Sequence, residues 1–227
     1  MPINPSPKMA ASDSAFDMNA FIVIEGIDGA GTTTQTAMLA AALEARGLAA
    51  HATREPSDGS VGKHLREVLS GRIKTEGASD AQRAAQLALL FAADRLDHLG
   101  REVQPRLREG AWVISDRYDH SSVAYQSVTS GDPRSIAWLR ELNRHADRPH
   151  LTIVLDVSAD VARERRLARN AARELFDDDV LQQQLAAFYR DLDRHFPGEP
   201  IVHVNADQSL EAVARDVLAA ALALIRE

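Results

Sequence analysis

The sequence contains no cysteine, which excludes disulfides, thiol catalysis and zinc–thiolate sites. Positive charge is in deficit, with 26 Lys and Arg against 33 Asp and Glu and a net charge of −7. That sign argues against a nucleic-acid polymer as the main partner, because such binders carry a basic surface. It leaves room for a small anionic ligand held by a local cluster of arginines. No apolar run approaches the ~18 residues that a membrane helix needs. The first residues, with Pro2, Pro5 and Pro7, lack the apolar centre of a signal peptide. These absences lead to the expectation of a soluble, cytoplasmic protein without a membrane or nucleic-acid partner. At 227 residues the chain suits one large domain with a sizeable core.

What the chain does have is a stretch from 21 to 34, Phe21-Ile-Val-Ile-Glu-Gly-Ile-Asp-Gly-Ala-Gly-Thr-Thr-Thr34. A strand-forming run enters a turn containing Gly26, Gly29 and Gly31, and an alanine- and leucine-rich stretch of helical pattern follows. Glycines let backbone N–H groups close around phosphate oxygens, and a helix N-terminus favours negative charge. Gly26, Ile27, Asp28, Gly29, Ala30, Gly31, Thr32 and Thr33 match the spacing of the phosphate-binding loop G-x-x-x-x-G-K-[ST], except that Thr32 stands at the lysine position. Thr33 stands where a hydroxyl would ligate Mg²⁺. Losing one preorganised electrostatic stabiliser commonly costs ~3 kcal/mol of transition-state energy. Either other cations compensate or the site is weak. A ligand-free glycine turn between strand and helix would read the same way in this segment alone.

Residues 1–18, rich in Pro, Ser and Ala, read as a flexible tail, with Met18 a candidate start of the functional chain, and 19–227 read as a single domain. Helical patterns are predicted over 33–46, 61–69, 80–107 with a break near Gly100, 134–145, 160–173, 177–195 and from 207 onward. Strands are predicted over 21–24, 48–53, 112–115, 151–155 and 201–204. Alternating strands and helices imply an α/β fold, a parallel sheet of about five strands covered on both faces. Ligands of such sheets bind beyond the carboxyl ends of the strands, which gathers Asp28, Arg54, Asp116 and Asp156 on one rim.

Arg165, Arg166, Arg169 and Arg173 fall three or four residues apart in overlapping pairs, so a helix presents several together. They form either a solvated basic face or an arginine-rich lid, about 160–176, that closes over phosphates. Phe91 and Arg95 share a helix face and could stack and bond a flat base, or be a core ring and a surface ion pair. Asp116-Arg117-Tyr118 places opposite charges at the rim, as a structural pair or as ligand contacts. Arg54-Glu55-Pro56 is similar, with a fixed and conceivably cis turn. Asp177-Asp178-Asp179 is read as a helix cap rather than a metal loop.

In order along the chain, these pieces resemble the thymidylate kinase family over residues 21 to about 210. The carriers are Phe21-Ile-Val-Ile-Glu-Gly-Ile-Asp-Gly29, Thr53-Arg-Glu-Pro56, Leu90-Phe-Ala-Ala-Asp-Arg95, Asp116-Arg-Tyr-Asp-His-Ser-Ser-Val-Ala-Tyr-Gln126 and Val204-Asn-Ala-Asp-Gln-Ser-Leu210. The resemblance implies transfer of the ATP γ-phosphoryl to dTMP with Mg²⁺. It implies that Asp28 binds the sugar 3′-hydroxyl or helps to orient Mg²⁺, and that Arg54 and Arg117 hold the acceptor phosphate, with Asp116 beside them. Phe91 would stack on thymine, Arg95 bond its O4, and Ser122 and Gln126 complete the base contacts. Tyr125 would lie against the deoxyribose. Arg165 would lie near adenine, and Arg169 foremost among the lid arginines would reach the transferred phosphoryl. A homodimer packed through the helix after Asp80 is implied as well. Thr32, and Ser57-Asp58 after the proline, depart from the family pattern. A deoxynucleoside kinase, or a nucleotide-binding protein with little catalysis, remain the alternatives.

Overall fold

The computed structural model describes residues 19–73, 77–132, 134–168 and 178–225. The tail of 1–18, Arg169, Arg173 and Asp177 lie outside the described residues. Five strands, β1 (Phe21–Glu25), β2 (Ala50–Arg54), β3 (Trp112–Asp116), β4 (Leu151–Asp156) and β5 (Ile201–Asn205), form one sheet in the order β2-β3-β1-β4-β5. Every pairing is parallel. Register aligns Ile24 and Arg54 with Asp116, so the carboxyl ends of β1, β2 and β3 finish level.

β1 lies at the centre and is buried throughout, which is why it reads as an unbroken apolar run. Its side chains alternate between two cores. Ile22 and Ile24 pack in one with Leu39 and Leu43, whereas Phe21 and Val23 pack in the other with Leu99 and Val103. Full burial of each such side chain stabilises by roughly 1.5–3 kcal/mol. Leu39 and Leu43 belong to α1 (Thr32–Glu44), which packs against α10 (Leu210–Ala223). Short α2 (Ser60–Leu69) lies against α3 (Asp80–His98), whose start is fixed by a reciprocal cap between Ser79 and Gln82. The break predicted at Gly100 is a π-helical turn, Leu99–Val103, running into α4 (Gln104–Arg108).

The sequence pattern does not predict α5 (Asp119–Ser130). Its buried face carries Asp119, His120, Ser121, Ser122 and Gln126, so no hydrophobic period marks it. The helix predicted over 134–145 is the shorter α6 (Ser135–Leu142). α7 (Ala159–Ala168) follows β4, and the segment predicted as one helix over 177–195 is α8 (Asp179–Arg190) followed by α9 (Leu192–His195). Asp178 caps α8, its carboxylate accepting from the Leu181 N–H at 2.9 Å. On the closing helix Val213, Val217 and Ala221 are buried, but Leu210 is exposed at its first turn. No helix among the described residues is long and apolar enough to cross a membrane.

Candidate active site

The glycine loop leaves β1 at Gly26 and enters α1 through Gly31, which sits at φ 98°. The first N–H groups of α1 have no intrahelical partner and face the ligand rim. Gly29, at φ 94°, is required for a second reason. A Cβ there would come within 2.4 Å of the Ala162 carbonyl oxygen, so α7 rests directly on the loop.

Glu25, the last residue of β1, anchors the loop from beneath. It is fully buried and accepts from the N–H groups of Tyr118 and Ser121 at 2.9 and 3.2 Å, from the Ser121 hydroxyl at 2.6 Å and from the Tyr189 hydroxyl at 2.9 Å. It thereby caps α5 and ties β1 to α8. Burial raises its pKa above the ordinary carboxylate value, against the lowering pull of His120 and Arg117.

Arg117, just after β3, has φ 70°, a left-handed conformation that costs a side-chain-bearing residue ~1–3 kcal/mol. Its guanidinium is held by three partners: the Asp28 carboxylate at 2.6 Å, the Gly26 carbonyl at 2.9 Å and the Ser121 hydroxyl at 3.0 Å. The ion pair at the rim is therefore Arg117 with Asp28, not with its neighbour Asp116. Gln182 of α8 closes the other side of Asp28, donating to its carboxylate at 3.1 Å and accepting from its N–H at 3.2 Å.

Beside this pair lies a cavity of about 130 Å³ lined by Asp28, Glu55, Pro56, Phe91, Arg117, Tyr125 and Gln126, among others. Gln126 is buried, yet neither its amide oxygen nor its amide nitrogen has a hydrogen-bond partner. Such groups cost free energy unless something pairs with them. The Arg117 guanidinium also lies 5.3 Å from the Tyr125 ring centre, and burial raises the pKa of the Tyr125 phenol.

Arg95 is not a surface ion pair. It is buried, donating to Glu55 at 2.7 Å, Ser122 at 3.0 Å and Asn143 at 2.5 Å, with its guanidinium 5.0 Å from the Tyr118 ring centre. Its Nε has no partner, and neither Arg95 nor Ser122 lines the cavity. The peptide bond Glu55–Pro56 is cis. Arg54 is exposed and pairs with Asp58 at 2.9 Å, so the departure at Ser57-Asp58 has a structural use. Ser57 itself is buried and bonds Asp94 of α3 through both its N–H and its hydroxyl.

At the start of α1 the Thr33 hydroxyl donates to Asp116 Oδ2 at 2.5 Å, while Asp116 Oδ1 is buried without a partner. A hydroxyl bonded to a carboxylate that keeps one oxygen unpaired suits Mg²⁺, which takes one or two protein ligands and fills its shell from phosphates and water. Among the described residues no group of three or more His, Asp or Glu could hold a metal unaided. On the other flank, Arg165 donates to the carbonyls of Ala206 at 2.9 Å, Gln208 at 3.4 Å and Ala30 at 3.5 Å. Arg166 donates to the Asp28 carbonyl at 2.8 Å.

Sequence reasoning misses Glu25, Glu55 and Gln182. Glu25 and Glu55 stand inside motifs, but only the fold reveals them as buried hubs. Gln182 sits in a run of three glutamines with no pattern to single it out.

Comparison with known proteins agrees with this geometry. Residues 24–217 match a family model described as thymidylate kinase. A probable thymidylate kinase of Thermococcus gammatolerans is 42% identical over 205 residues, covering 88% of this chain and 95% of the relative. One from Pyrococcus horikoshii is 40% identical over 200 residues, covering 88% and 94%. The thymidylate kinase of Symbiobacterium thermophilum is 36% identical over 203 residues, covering 88% and 91%.

Proposed function

The chain belongs to the thymidylate kinase family, and on that premise we propose that it transfers the γ-phosphoryl of ATP to dTMP, giving dTDP and ADP, despite Thr32 at the lysine position. The observation that carries the reading is the cavity beside the glycine loop. It combines a partly exposed ring (Phe91), a buried amide with no partner (Gln126) and a guanidinium (Arg117). Phe91 stacks on the base, Gln126 bonds its edge, and Tyr125 lies against the deoxyribose. Asp28 takes the sugar hydroxyl. Arg117, with Arg54 released from Asp58, holds the acceptor phosphate. Arg95 and Ser122 support the base pocket from behind, since both sit in the buried network next to it.

The loop N–H groups from Gly26 to Thr33 cradle the ATP phosphates. Thr33 and Asp116 would hold Mg²⁺, which neutralises charge on the phosphates when bound. An acceptor phosphate oxygen is already a competent nucleophile, so the protein's task is positioning and charge neutralisation, not proton abstraction. Arg165 lies toward adenine, and Arg169, outside the described residues, is assigned to the transferred phosphoryl.

A deoxynucleoside kinase would need a carboxylate free to deprotonate a 5′-hydroxyl. The cavity wall carries two carboxylates, and both are engaged: Asp28 with Arg117 at 2.6 Å, and Glu55 with Arg95 at 2.7 Å and His98 at 3.4 Å. A homodimer belongs to the same proposal. Leu89, Ala93 and Leu96 lie exposed along one face of α3, and Trp138 is exposed on α6, which packs near it. A cytoplasmic location belongs to it as well.

The test is release of ADP with Mg-ATP and, in turn, dTMP, thymidine, dUMP, UMP and CMP. Release with dTMP above the others is expected. Release with thymidine but not dTMP would replace the reading by a nucleoside kinase, and silence with all five by a nucleotide-binding protein.

A further inference from the structure

We propose that a second small-molecule site lies at the start of α7, apart from the dTMP cavity, and that it takes a nucleotide whose base carries an amino group. The site is a cleft of about 630 Å³ between α8 and the end of the sheet formed by β4 and β5. It shares no lining residue with the cavity that contains Phe91, Arg117 and Gln126. Asp156, which strand order brings to the rim and the proposed reaction leaves unused, stands in its wall.

Three groups in the cleft keep hydrogen-bonding capacity. Asp156 Oδ2 is bonded by His203 Nδ1 at 2.9 Å, but Asp156 Oδ1 is buried without a partner. Such an atom costs free energy until a donor reaches it. The Asn205 amide oxygen accepts from the Asp207 N–H at 2.9 Å, which fixes the amide and leaves its NH₂ unpaired among the described residues. Arg190 makes no hydrogen bond or ion pair among the described residues, although its charge acts on Asp156. Asp207 is occupied by Ser158, accepting from its N–H and its hydroxyl. Leu155, Val157 and Ala186 supply apolar wall, and Tyr189 offers only its ring, since its hydroxyl is bound to Glu25 at 2.9 Å.

Register brings the first two groups together. Asp156 and Asn205 are partners across β4 and β5, adjacent strands about 4.8 Å apart, so an acceptor and a donor stand side by side. They complement a base edge with an amino group next to a ring acceptor: the carboxylate accepts from the amino group while the amide NH₂ donates to the neighbouring ring atom. A keto base fits worse, because its ring N–H is flanked by two carbonyls and one would face the carboxylate. On the facing wall Gln183, Ala186 and Arg190 form one stripe of α8, three and four residues apart. Seven residues of helix span about 10 Å, comparable to a nucleoside monophosphate, so Arg190 takes the phosphate while the base lies at Asp156. A metal ion does not fit, because no group of three or more His, Asp or Glu among the described residues could hold one. A bare anion would meet the carboxylates of Asp156 and Asp207.

The experiment is calorimetric titration of dCMP, and of dAMP as the two-ring form of the same chemistry, into the full chain saturated with dTMP and a non-hydrolysable ATP analogue. Saturable binding is expected, and the tighter of the two nucleotides shows which ring size the cleft takes. The keto counterpart dUMP, and the nucleoside without its phosphate, should each bind ~10-fold more weakly or worse. Asp156→Ala and Arg190→Ala should each weaken the nucleotide ~10-fold or more, but Arg190→Ala should leave the nucleoside as it was and turnover with dTMP unchanged. Should Asp156→Ala fail to fold, Asn205→Ala tests the same edge from its other side. No saturable binding of either nucleotide beside dTMP and the ATP analogue, equal affinity for amino and keto bases, or full affinity in the variants would each overturn the proposal.

Discussion

Arg117 and Arg166 donate to carbonyls of the same loop at nearly the same distance, yet they sit in different surroundings. On the acceptor side, Arg117 belongs to a buried lattice of Asp28, Ser121, Glu25 and Tyr189 that spans β1, α5 and α8. On the donor side, Arg166 leans on an exposed carboxylate. The first half is assembled by folding and has little to rearrange when dTMP arrives. The second holds its arginine on the Asp28 carbonyl and on a carboxylate at the surface.

The comparison breaks most visibly at Arg117. Arg117→Ala breaks the ion pair with Asp28 and, on the proposed reading, takes from the acceptor phosphate its main contact. It should lower kcat/KM for dTMP by roughly 10³, with no rescue by Thr32→Lys. Rescue there would mean that the two halves share one pool of charge.

A smaller effect is expected at Gln126. Gln126→Leu removes the two unpaired amide atoms, and should raise the KM for dTMP ~10-fold while leaving that for ATP alone. The same variant should stabilise the free enzyme slightly, because it removes a buried polar group with no partner. A fall in melting temperature together with an unchanged KM would show Gln126 to be structural.

The smallest effect concerns pH. Burial lowers the pKa of His120, but Asp119, Glu199 and Glu25 outweigh it and raise the value above the ordinary ~6.5. A raised folded-state pKa gives stability that is complete below ~6.5 and is lost as pH rises through the folded value. Glu25, also raised, adds the same sign from ~4.5 upward. The melting-temperature gap between wild type and His120→Asn should therefore be widest in mild acid and narrow toward alkaline pH. A gap that widens with pH would contradict the charge assignment.

Much of the fold is legible in the sequence because β1, β3 and β4 are buried on both faces and read as apolar runs, and because glycine punctuates the turn after β1. α5 is not legible. Its inward face is polar for the sake of the site, so the local rule fails where function is densest. Asp28, Arg117, Phe91 and Gln126 could be named from motifs, and the structure brings them to one cavity. That Arg95 is buried, and that Asp28 is clasped by Gln182 from 154 positions away, depends on tertiary packing that no local pattern encodes.

The most direct measurement is a crystal structure with Mg²⁺, a non-hydrolysable ATP analogue and dTMP. The proposed reading predicts a guanidinium from the segment after β4 within hydrogen-bond distance of the terminal phosphate, and Arg117 on the dTMP phosphate. A triphosphate bound in the loop with no guanidinium at its terminal oxygens would contradict it.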